Sequence, residues 1–407
     1  MKGRHGQEAA HANRAAVVSK TIQSGARDAV AWASVLLALT LPLSAADAQG
    51  GNESSVHEPG YSYESLLKRI HDYDLSGAGH VIDSFIGRLP ADPKPYFFFT
   101  LARWWRLAGE TSSDSLQTSF LEAAGKSVEV AENYLRAHPD DREAGFFLGA
   151  GCQYISRYYF LTNSWFAACK YGRKASDIST RILEKYPGFH DANLAIGTYN
   201  YYGGRLPGLI KFLVSAVGRG GDRALGIAQL RCVANRGIYS RVDALSLLGY
   251  INLQMENDYP EAVRIFSALS SSCLSNPVFR ILLANSYSKA GKYAAAISTC
   301  ERALADASVN FASTNQLAAM HAELAYYYML SGEYERAITE YGTCDSLAND
   351  YYMKELPWIY FNAGLCKERR NNFMDAESYY RMVLNCRDYF DYHSRALKAI
   401  KRVHGKF

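Results

Sequence analysis

The chain has 407 residues, 48% of them hydrophobic and 21% charged, with 11 prolines, 31 glycines and 8 cysteines. That apolar content excludes a disordered chain, the glycines follow no collagen-like period, and the cysteines are too sparse for a disulfide-built scaffold. Five of the 44 basic and three of the 40 acidic residues lie in the first 48 positions, so the rest of the chain carries +2 instead of +4 and implies no general attraction to nucleic acid.

The chain begins with an export pattern. Arg14, Lys20 and Arg27 precede an uncharged stretch from Ala29 to Leu43, and Ala46-x-Ala48 follows it. Basic, apolar and small residues in that order predict a secretory signal over 1–48, cleaved after Ala48. The apolar run is shorter than the roughly 20 residues a spanning helix needs. The expected location is therefore the periplasm or cell envelope. Residues 49–60 read as a flexible linker.

From residue 61 to 407 apolar residues recur at three- and four-residue spacing between short Gly, Pro, Asn and Asp breaks, which predicts helices throughout. Ala78, Ile82, Phe85 and Pro90 fit the second helix and closing proline of a first pair. Ala131-x2-Tyr134-x4-Pro139 and Ala175-x3-Ser179-x2-Ile182-x4-Pro187 close the next two, and Leu148-Gly149, Ile196-Gly197 and Leu248-Gly249 open first helices. Long helices are expected around 146–160 and 165–185. The pattern is then interrupted over 198–225, where Gly203-Gly204 and Gly220-Gly221 read as turn and cap glycines. Asp222 reads as an N-cap, and Ser240 with Asp243 as a capping-box variant.

The second half is regular. Leu283-Ala284-x2-Tyr287-x3-Gly291-x-Tyr293-x2-Ala296-x3-Cys300-x2-Ala303 recurs from Leu324 to Cys344, and again from Tyr360 to Tyr380. Small residues at Ala284, Ala296, Ala325, Ala337, Gly364 and Ala376 let two helices approach, and Tyr287, Tyr293, Tyr328, Tyr334 and Phe373 fill the gaps between units. The tail over 389–404 has one apolar stripe, as a terminal capping helix requires. This grid resembles the tetratricopeptide repeat, although its spacing of about 40 exceeds that family's unit of about 34 residues. The resemblance implies an all-α, right-handed α-solenoid of about eight stacked antiparallel helix pairs, irregular over 61–240 and regular over 241–386. Leu206-Pro207, Lys211-Phe212-Leu213, Gly218, Gly221-Asp222-Arg223, Gly226 and Leu230 are also similar to a segment of secreted bacterial repeat proteins of unassigned function. The same segment resembles one in the inclusion body clearance family.

Chemical motifs are sparse. The histidines show no ligand spacing, and the glycine and serine signatures of nucleotide and hydrolase sites are missing. The spacing therefore supports no catalytic set, no metal site and no cofactor. An enzyme would have to assemble scattered groups such as Asp74, His80 and His190. Asp72-Tyr73-Asp74-Leu75-Ser76-Gly77 with Asp83 echoes a calcium loop, but Gly79 and Asp83 break its eighth and twelfth positions, so a turn and helix start is the expected role. Cys300 and Cys344 fit core thiols, and Cys344 with Cys366 is the expected pair if any is oxidised.

In the repeat register, Asn285, Ser288, Lys289, Tyr326, Met329, Leu330, Trp358, Phe361, Leu365 and Arg369 fall on the first-helix face that lines a concave groove. This aromatic and apolar lining suits a protein or peptide partner, unless the array's own N-terminal units or its insert fill the groove. The expected function is a non-enzymatic scaffold. The alternative is peripheral membrane association through the insert over 206–217, using Leu206, Leu209, Ile210, Phe212 and Leu213 as a foot or lid.

Overall fold

The computed structural model describes residues 62–108, 113–162, 164–205, 221–309, 314–347, 355–388 and 390–406. The expected signal sequence, the linker and the insert side chains Leu206, Leu209, Ile210, Phe212 and Leu213 lie outside the described residues. Among the described residues there are α-helices, one 3-10 turn and one π turn, and no strand.

The first eight helices are α1 (Tyr63–His71), α2 (Leu75–Arg88), α3 (Pro93–Ala108), α4 (Asp114–Ala137), α5 (Arg142–Leu161), α6 (Trp165–Lys185), α7 (Asn193–Arg205) and α8 (Arg223–Arg236). They are followed by α9 (Arg241–Ile251), α10 (Tyr259–Ser272), α11 (Pro277–Lys289), α12 (Tyr293–Val309), α13 (Thr314–Ser331) and α14 (Tyr334–Leu347). The last three are α15 (Leu356–Arg369), α16 (Phe373–Asn385) and α17 (Tyr392–Val403). Consecutive odd and even helices form hairpins, and each odd helix from α1 to α5 also touches the next odd one, as α13 does α15 and α15 does α17. Odd helices therefore line the inside of the curve, with even helices outside. The chain is an α-solenoid closed by α17.

Local chemistry explains where these helices start and stop. Asp74, Ser113, Asp141, Asp222, Asp258, Asn276 and Asn372 each accept a backbone N–H of the first turn they cap. Such a cap contributes about 1 kcal/mol. In the hairpin turns the chain passes through the left-handed region at Tyr73, Asn257, Gly291, Gly332 and Asn371. After Gly291, Gly332 and Asn371 the next N–H reaches back to the carbonyls of Tyr287, Tyr328 and Lys367 at 2.8, 2.9 and 3.0 Å, ending the first helix of each hairpin.

The predicted small-residue grid is the packing surface. Ala284, Ala296, Ala325, Ala337 and Ala376 have no exposed area, and a Cβ on Gly364 would lie 2.7 Å from the Tyr380 ring. Cys300 and Cys344 are buried core thiols, as expected. The Cys344–Cys366 pairing is not formed: none of the eight cysteines is in a disulfide, and both of these sit in the apolar cluster shared by α14 and α15.

Three local expectations are corrected, and the turn reading of the calcium-like loop holds. Helix α7 continues to Arg205, so residues 198–205 belong to a helix and not to an interruption. Gly203 and Gly204 are helical and mark a helix crossing, because a Cβ on Gly204 would lie 2.7 Å from the Arg223 amide nitrogen. The crossing repeats at Gly226, where a Cβ would lie 2.5 Å from the Tyr201 nitrogen. The capping box at Ser240 is absent: Asp243 instead accepts from the Tyr154 hydroxyl at 2.7 Å, and the Ser240 N–H donates to Asp191. In the calcium-like loop, Asp74 caps α2 and pairs with Arg69 at 2.6 Å while Asp72 pairs with Lys68, so turn and cap are their roles.

The array also folds back on itself. Asn276, at the start of α11, donates its side-chain amide to the His71 carbonyl at 3.0 Å, and Gln316 of α13 donates to the Tyr73 hydroxyl at 2.7 Å. Trp105 of α3 meets Phe279 of α11 edge to face at 5.9 Å. One connected core thus runs from Leu66 to Leu283. The end of α1, the turn after it and α3 thus reach α11 and the start of α13, which is where the sequence left open whether the groove fills itself.

Candidate functional site

The remaining inner surface lies on α11, α13 and α15. Tyr326 and Trp358 touch across α13 and α15 with ring centroids 5.7 Å apart, and Tyr341 supports Trp358 edge to face at 6.1 Å. One turn along α15, Phe361 packs against Tyr380 at 5.5 Å and against Tyr392 of α17 at 5.7 Å. Tyr326, Met329 and Trp358 rest on one apolar cluster, Phe361 and Leu365 on the next. All five are half-buried, as are Leu330 and Asn285; Ser288 is buried, and Lys289 and Arg369 are exposed at the two ends. The structure thus brings Tyr326 and Trp358 of the predicted groove into contact, places Phe361 against Tyr380 and Tyr392 instead, and leaves Lys289 and Arg369 exposed at the two ends.

Two groups in this surface were missed. Tyr392 extends the aromatic row onto the capping helix. Glu323 precedes Tyr326 by one turn on α13; burial pushes its carboxyl up to about 7 against the Tyr327 hydroxyl, Glu355 adds to the rise, and Lys289 opposes it. Its position three residues before Tyr326 was the available signal. The surface combines flat apolar rings with a carboxyl that changes charge near neutral pH, a combination suited to an apolar side chain with a polar backbone or amine beside it.

Asp74 caps α2, His80 is exposed on that helix, and His190 lies 3.7 Å from the Cys232 thiol. Another buried polar cluster is Tyr154, Asp243 and Arg157, with the guanidinium 3.9 Å from the carboxylate and stacked 4.9 Å over Trp104. Burial raises the Asp243 carboxyl to about 6, against the pull of Arg157 and the Tyr154 hydroxyl.

Residues 280–310, which form α11 and α12, match the tetratricopeptide repeat family model. No curated protein sequence matches the chain. The chain is similar to one in the crystal structure of the APC/C hetero-tetramer Cut9–Hcn1, at 15% identity over 83% of this chain and 62% of that one, with a TM-score of 0.45. It is similar to yeast Tom70 at 13% identity over 77% and 64% of the two chains, with a TM-score of 0.40. It thus spans less than two thirds of both. A tetratricopeptide repeat protein from Parabacteroides merdae is 16% identical over 75% of this chain and 98% of that one, with a TM-score of 0.33. Residues 280–310 thus carry a tetratricopeptide repeat, and stacked helix hairpins lie on both sides of it.

Proposed function

We propose that the chain is a non-enzymatic scaffold, exported to the periplasm or cell envelope, that binds a protein or peptide partner along α11, α13 and α15. The observation that carries this reading is the row Tyr326, Trp358, Phe361 and Tyr392, half-buried rings on three odd helices that touch as two pairs, Tyr326 with Trp358 and Phe361 with Tyr392. Aromatic anchors set in a firm apolar bed are the usual centres of binding energy. The fold-back of α1–α3 stops at α11 and the start of α13, so these rings remain uncovered by it. Export rests on the leader pattern, and the partner is a short amphipathic or apolar segment by the chemistry of the lining.

The test is Trp358→Ala combined with Phe361→Ala. The variant is expected to stay helical and to lose capture of the envelope partner that photo-crosslinking at Tyr326 identifies in the wild type. Capture unchanged in this variant would remove the groove from consideration. Fractionation of cells carrying the tagged chain checks the location, which cytoplasmic recovery would overturn. The alternative use of the insert over 206–217 rests on its sequence alone.

A further inference from the structure

We infer that the outer face of α6 is a docking surface for an anionic phospholipid bilayer. Helix α6 opens with Trp165 and Phe166, which are 47% and 86% exposed, the two largest side chains left uncovered side by side among the described residues. Trp165 is not loose: Phe160 meets it edge to face at 5.1 Å, and Phe160 in turn lies 5.1 Å from Tyr202. Phe166, Lys170, Arg173, Asp177 and Arg181 then follow one another along a single exposed stripe of the same helix, three cations against one carboxylate. Beside this stripe is an open cavity of about 460 Å³, walled by Lys170, Arg173, Lys174 and Arg181 against Glu132 and Asp177. Four cations against two carboxylates leave the cavity electropositive, even with Lys174 bonded to Glu132 at 2.6 Å and Arg173 lying 3.7 Å from Asp177.

Exposed Trp and Phe at one end of a helix, followed by Lys and Arg on the same stripe, is the arrangement that lets rings enter a headgroup layer while cations meet lipid phosphates. A protein surface alone would not need the adjacent electropositive cavity, whose size admits a phospholipid headgroup. Because α6 is an even helix on the outside of the curve, a bilayer there leaves the inner aromatic row free. The inference uses no residue of the proposed groove and stands apart from it.

The experiment is flotation of the chain from Gln49 onward, which keeps every described residue and removes the apolar leader, with phosphatidylcholine vesicles with and without phosphatidylserine. The wild type is expected to float with the phosphatidylserine vesicles and to be released by salt. Trp165→Ala with Phe166→Ala should weaken flotation about tenfold or more, from the lost apolar burial. Lys170→Gln with Arg173→Gln should weaken it about fivefold per cation and reduce the salt response. Trp358→Ala with Phe361→Ala should float as the wild type does. The inference is overturned by no flotation of the wild type, by flotation that neither α6 variant reduces, or by a photo-crosslinker at Phe166 that captures protein in place of lipid. The two α6 variants are independent, so a folding defect in one leaves the other decisive.

Discussion

From α1 to α11 the buried side chains form one connected core in which helices distant in sequence touch, whereas from α11 to α17 they divide into smaller clusters shared by neighbouring helices. The first region is built on large rings, with Phe97, Phe98, Trp104, Trp105, Phe146 and Phe147 all buried. The second is built on alanine and tyrosine in a repeating register. Local stacking makes stability nearly a sum over neighbouring units, while contact between distant hairpins makes the units that share it fold together or not at all. The two ends of one array should therefore differ in cooperativity.

Trp105→Ala is the strongest way to break this comparison. It empties the contact with Phe279 and should destabilise by about 4 kcal/mol. Hydrogen exchange should then accelerate together across α1–α11 and stay unchanged in α14–α17. Equal acceleration in both regions would show that the whole array is one cooperative unit.

The next effect is a pH slope. Folding raises the Asp243 carboxyl from 3.8 to about 6, so the folded chain holds that proton more tightly. The associated stability is fully present below pH 3.8 and is lost as pH rises through about 6, a change of about 3 kcal/mol. Asp243→Asn, which keeps an acceptor for Tyr154, should flatten that part of the stability curve between pH 4 and 7 in denaturant titrations. Glu323 adds a slope of the same sign in the second region, so Glu323→Gln alone tests whether the two sites act separately.

The opposite slope belongs to His71. Its ring is fully buried, both nitrogens lack a partner among the described residues, and desolvation with Lys68 nearby lowers its pKa from 6.5 to about 3. The unfolded chain therefore binds the proton more readily, and stability falls as pH drops below 6.5, by about 2 kcal/mol at pH 5. His71→Leu should remove this acid loss without harm at neutral pH, measured as the melting temperature at pH 5 and 7. A smaller effect is expected at Arg264, which pairs with Glu261 at 2.7 Å on the solvent side of α10. Arg264→Ala should change stability by less than about 0.5 kcal/mol, and a larger loss would mean that the outer face carries load in this array.

The regular region was legible because its rules are local. A small residue such as Ala325 and a ring such as Tyr328 lie within one helix turn of each other, so the pairing is written into adjacent positions. The groove rings Tyr326, Trp358 and Phe361 followed from the same register. What escaped was everything set by a distant partner. The bond from Asn276 to His71 spans 205 positions and has no local pattern. Gly203-Gly204 looked like a turn because nothing nearby reveals that α8 crosses them. Ser240 looked like a capping box because Asp191, which takes the N–H groups of Ile238, Tyr239 and Ser240 at 2.9, 2.8 and 2.7 Å, lies almost fifty residues upstream. The exposed pair Trp165 and Phe166 was read only as the start of a long helix.

The glycine crossing of α7 and α8 has a consequence for the integrity of the chain. Glu256, in the π turn Asn252–Glu256, bonds the Arg205 guanidinium at 3.2 Å and the Arg223 Nε at 2.8 Å, so one carboxylate holds the last residue of α7 and the first of α8. Peptide continuity between these two arginines is thus redundant for holding the helices in register. A chain nicked there should migrate as one particle in native conditions and as two fragments after denaturation, and two separately expressed pieces, ending and starting at these arginines, should reassemble by complementation.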